Sequence, residues 1–86
     1  MITSHELDML VVPRTQDHVL AAAVERALRA TGYAQFRALV VSVLHGFVVL
    51  EGRVPSYYLK QLAQTTAMGA VEVEGLRNDL EVVRSR

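Results

Sequence analysis

The chain has 86 residues, 51% of them hydrophobic, and its nine basic and nine acidic side chains cancel. That length allows one domain with a modest core and leaves no room for a deep substrate cavity beside a separate cofactor site. The neutral balance gives no general electrostatic footprint for nucleic acid, so no nucleic-acid partner is expected.

Residues 1–14 form an N-terminal arm with no strong period. Within it Leu7 to Val12 suits a short strand or ordered segment that Pro13 ends. The longest apolar run there, Met9 to Val12, has four residues. A signal peptide needs roughly 7–15 apolar residues, and a membrane span about 20. The expected location is therefore cytoplasmic, or periplasmic if a leader was removed.

The domain proper is expected over 15–84. Thr15 suits an N-cap, with Asp17 in the first turn where a helix favours negative charge. Leu20, Ala23, Val24, Ala27 and Leu28 recur at helical spacing, and Gly32 is placed as the stop, which predicts a helix over about 16–31. Phe36 to Leu44 is rich in β-branched and aromatic residues and reads as a strand. His45-Gly46 is a turn pair, and Phe47 to Val54 is a second strand. So short a turn forces an antiparallel hairpin. Pro55 stops the sheet and Ser56 caps a second helix, which runs to about residue 70. Val73 to Val83 reads as a third strand. The order is α-β-β-α-β.

These positions carry a pattern. Gly46-x-Val48-x-Leu50-x-Gly52-x-Val54, then Ser56, Ala63 and Ala67, then Leu76-x-Asn78-x-Leu80-x-Val82, resembles the BON domain. That family takes its name from bacterial osmotically induced periplasmic and nodulation proteins. The resemblance covers about residues 16–83. It implies an α+β two-layer sandwich, with two helices on one face of a three-stranded mixed sheet. It also implies a non-enzymatic binding module, attached to phospholipid membranes or to other proteins. Gly46, Gly52 and Asn78 are its signature positions here. Two departures stand out. Glu72-Val73 replaces the usual Gly-Val before the last strand, which suggests Gly69 as the stop of the second helix. His45 stands where the family often has Asn or Asp.

Chemistry at the same residues is sparse. Gly46 and Gly52 flank a strand, with no Lys-Ser or Lys-Thr after them, unlike a phosphate loop. They read as backbone glycines, Gly46 for the turn and Gly52 for a bend or a close helix contact. His5, His18 and His45 lack the spacing of a helical metal site, and no cysteine is present, so neither a metal nor a cofactor is expected. A catalytic His45 needs a nucleophile and an orienting acid, and beyond nearby Ser42 no third member is found. Tyr57 and Tyr58 open the second helix about 100° apart, so one of them is expected to pack inward.

The sheet is more informative. If Leu39, Val41, Val43, Val48, Leu50 and Val54 face the helices, then Val40, Leu44, Phe47 and Val49 face the other way. An open sheet face normally turns polar, and this one stays apolar. A patch of a few hundred Å² usually has a partner. Three covers are conceivable: the Leu7–Val12 arm, a second copy, or another protein. Glu51, Asp79 and Glu81 are expected near the face, which disfavours a membrane there. The expected function is protein–protein contact, homotypic in the first instance, through Val40, Leu44, Phe47 and Val49. The alternative is peripheral binding to anionic phospholipid through Arg26, Arg29, Tyr57 and Lys60.

Overall fold

A computed structural model of the protein describes residues 15–84. Helix α1 spans Thr15–Ala30, a 3₁₀ turn Ala34–Ala38, strand β1 Val40–Leu44, strand β2 Phe47–Val54, helix α2 Tyr57–Ala70 and strand β3 Gly75–Val82. The sheet order is β1-β2-β3, antiparallel between β1 and β2 and parallel between β2 and β3. The fold is therefore the expected α+β sandwich on a mixed sheet. The arm of residues 1–14, including the Leu7–Val12 segment and His5, lies outside the described residues.

Each strand buries alternate residues because successive side chains point to opposite faces. Val48, Leu50 and Val54 of β2, Val43 of β1 and Leu80 of β3 meet Val24 and Leu28 of α1 and Leu59 of α2 in one core. Ala63 and Ala67 are fully buried at one-turn spacing, and their small side chains let α2 lie close to its neighbours. Ser56 accepts the Leu59 N–H at 3.2 Å, the expected cap of α2. At the far end of α1, the Thr31 hydroxyl donates to the Leu28 carbonyl at 2.7 Å, and Gly32 takes a φ of 85° that stops the helix.

Three expectations need correction. The segment from Phe36 is not strand: residues 34–38 form a 3₁₀ turn, and Phe36 is buried there as a core plug. Gly69 does not stop α2, which runs on to Ala70 with Gly69 exposed. Strand β3 begins at Gly75, so Val73 precedes it.

Gly52 falls on the inward parity of β2, where a side chain is expected. Its φ is 137°, and a Cβ there would sit 2.8 Å from Leu39 Cδ2 and 3.4 Å from Leu39 Cα. Leu39, which leads into β1, thus fills the slot that residue 52 leaves empty. The close approach is made by this connector rather than by a helix.

Candidate binding surface

The hairpin turn and the first helix are locked together. His45 and Gly46 have φ values of 53° and 82°, the signature of a two-residue type I′ turn. Their N–H groups point to the Asp17 carboxylate, with His45 donating at 2.7 Å and Gly46 at 3.0 Å. Asp17 is only 2% exposed. The start of α1 is thereby tied to the tip of the hairpin. The Glu74 N–H donates to the Gly46 carbonyl at 2.9 Å and brings the lead into β3 to the same end. Spacing alone placed Asp17 as a helix-dipole residue and missed this bond, which joins residues 28 and 29 positions apart.

Leu44 and Phe47 flank that fixed turn and pair with each other across the hairpin. Both point away from the helices, as do Val40 and, one pair further in, Val49 opposite Ser42. Val40 is 55% exposed, Leu44 54% and Phe47 46%, while Val49 is half-buried. The structure thus places the four sequence-predicted residues on one outer face. Gly75 of β3 lies beside Phe47, and a Cβ there would meet the ring at 2.5 Å. The missing side chain lets the phenyl ring lie down over the neighbouring strand, which accounts for its partial burial.

Further along the same face the character changes. Glu51, Arg53, Arg77, Asp79 and Glu81 share its parity. Arg53 pairs with Glu81 at 3.2 Å and Arg77 with Asp79 at 2.8 Å. The acids were expected here. The two arginines were not, though their alternation with Val49 and Glu51 was readable. The outer face is therefore zoned, with Leu44 and Phe47 apolar at the turn, Val40 continuing the apolar character along β1, and charges on β3 and the far half of β2, where each of the two arginines has a carboxylate partner.

Asn78, expected as a signature position, faces inward. Its amide donates to the Lys60 carbonyl at 2.9 Å and to Gln64 Oε1 at 3.2 Å, and its Oδ1 accepts the Leu80 N–H at 3.1 Å. It pins β3 to α2.

The remaining candidates sit elsewhere. Arg26 and Arg29 are exposed on α1, Tyr57 is exposed and Lys60 half-buried on α2. Tyr57 and Tyr58 both stand in solvent, so the inward packing expected of one of them does not occur. The Arg84 guanidinium lies 5.7 Å from the Tyr57 ring centre instead. Tyr33 is held above the ordinary phenol value, chiefly by its hydrogen bond with the Tyr58 hydroxyl. Among the described residues no helix is long and apolar enough to cross a membrane.

The comparison with protein families supplies the context for this geometry. No curated protein matches the chain. The BON domain family model matches residues 16–84, nearly everything the structure describes. BON domains are binding modules rather than catalysts, and the matched span takes in the asparagine tether, the glycine slot and the hairpin described above. The chain belongs to the BON domain family.

Proposed function

We propose that this BON domain is a protein-binding module that contacts a second protein, in the first instance another copy of itself, through the outer face of its sheet. The observation that carries this reading is the pair Leu44 and Phe47, side by side and each about half exposed, with half-buried Val49 and, beyond Ser42, exposed Val40 on the same face, which no described element covers. Large apolar side chains grouped this way are costly to leave in water, at about 25 cal/mol per Å². A two-fold contact buries the same patch on both copies. The zoning favours protein over membrane. A membrane-binding face needs cations to meet anionic headgroups, and here Arg53 and Arg77 are neutralised within the face.

Light scattering across concentration tests the reading. The average mass should rise with concentration and fall for Phe47→Asp and for Leu44→Lys, both at exposed positions where the fold tolerates a charge. A mass that neither variant alters overturns the face contact. Salt-sensitive sedimentation with anionic phospholipid vesicles, lost on charge reversal of Arg26 and Arg29, would replace it with the membrane reading.

A further inference from the structure

The two edges of the sheet are treated differently. The β3 edge carries Arg77, Asp79 and Glu81, and the Asn78 side chain occupies the Leu80 N–H. Charges and occupied backbone groups are the usual means of blunting an edge strand. The β1 edge has neither. Its five residues, Val-Val-Ser-Val-Leu, include no charge, proline or glycine.

The hairpin register says which groups that edge presents. In a two-residue type I′ hairpin the residues flanking the turn, Leu44 and Phe47, exchange backbone hydrogen bonds. Every second residue then bonds inward, so Val40, Ser42 and Leu44 face β2, and the N–H and C=O groups of Val41 and Val43 point out of the sheet. Beyond the ladder, no backbone bond among the described residues uses the Val41 or Val43 N–H.

We propose that β1 pairs edge to edge with β1 of a second copy, antiparallel, about a two-fold axis through Ser42. This register sets Val41 opposite Val43 of the other copy, so the four outward N–H groups of the pair find the four outward carbonyls. On the outer face it sets Val40 opposite Leu44, and at the centre it sets Ser42 opposite Ser42. No like charges meet, because β1 has none. The two sheets join into one of six strands. This contact uses the edge, not the face, and stands independently of the face contact proposed above.

Five-residue strands bury far less than the roughly 800 Å² per partner of a standard interface, so the pairing is weak and concentration-dependent. A dissociation constant on the order of 100 µM leaves most chains single at about 10 µM and most paired at about 1 mM. Amide hydrogen exchange of the wild-type chain reads it directly. Exchange at Val41 and Val43 should slow roughly four-fold between those concentrations, and the same slowing should persist in Phe47→Asp, where the face contact is gone. Ser42→Cys should yield a disulfide-linked dimer on mild oxidation, since the central non-hydrogen-bonded pair brings Cα atoms to about 4.5 Å, within disulfide reach. Phe47→Cys, one strand further in, should not cross-link through this contact. Exchange at Val41 and Val43 that is unchanged with concentration overturns the proposal. So does a Ser42→Cys chain that cross-links no faster than Phe47→Cys in the Leu44→Lys background.

Discussion

Asp17 is the residue whose removal should be felt most for its size. Its carboxylate receives two backbone N–H groups from the hairpin turn, in a site that excludes solvent. Hydrogen bonds to a charged group are worth about 1.5–3 kcal/mol each, and alanine would leave both donors without this acceptor. Asp17→Ala should therefore cost about 3 kcal/mol in denaturant unfolding. That is a large share of the stability of so small a domain. Tyr33 gives a second test at this scale. The shared hydrogen bond with Tyr58 favours its neutral form, so its pKa is raised above that of the unfolded chain. Any stability linked to it is present below the unfolded value of about 10 and lost as pH rises through the folded value. Tyr58→Phe should bring the Tyr33 titration back toward an ordinary phenol, read by the absorbance of its phenolate.

At the scale of elements, two glycines in paired strands carry opposite expectations. Gly52 has a φ of 137° and Leu39 backbone within 3.4 Å of any added Cβ. Gly52→Ala must strain its own backbone and push the connector outward, at about 2–4 kcal/mol. Gly75 is blocked only by the phenyl ring of Phe47, a flexible and half-exposed side chain. Gly75→Ala should cost under about 1 kcal/mol while lifting the ring off β3. Denaturation midpoints for the pair, with the Phe47 ring resonances, check both statements. The elements also show how far pattern reaching from residue to residue can go. Helix α2, its Ser56 cap and the His45-Gly46 hairpin were legible because caps and tight turns are local chemistry. The segment at Phe36 was misread as strand. Its aromatic and branched residues satisfy strand propensity, but burial of Phe36 in a 3₁₀ turn overrides that weak local preference.

For the whole molecule, the two proposed contacts make a joint prediction. The edge axis runs perpendicular to the sheet and the face axis parallel to it. Axes at right angles that cross close a tetramer of two stacked six-stranded sheets. The wild-type mass should then level off at four chains. Phe47→Asp should stop at an edge-paired dimer, and Val41→Pro, which removes one of the outward N–H groups of the edge without adding a side chain to the outer face, at a face-paired one. Multi-angle light scattering on the three proteins separates these outcomes.

The sequence by itself determined the element order, the hairpin and the alternation that leaves Val40, Leu44, Phe47 and Val49 facing outward, and its motif positions carried the family resemblance. The first three follow from turn chemistry and from periods of two and 3.6, which are properties of neighbouring residues. Only the tertiary structure decided that Asp17 closes the hairpin tip, that Leu39 fills the slot of Gly52, that Asn78 ties β3 to α2, and that Arg53 and Arg77 are paired within the outer face. Most of these contacts join residues distant in the chain, and even Arg77–Asp79 depends on the strand to set both side chains on one face. Packing sets such contacts, and no local spacing announces them.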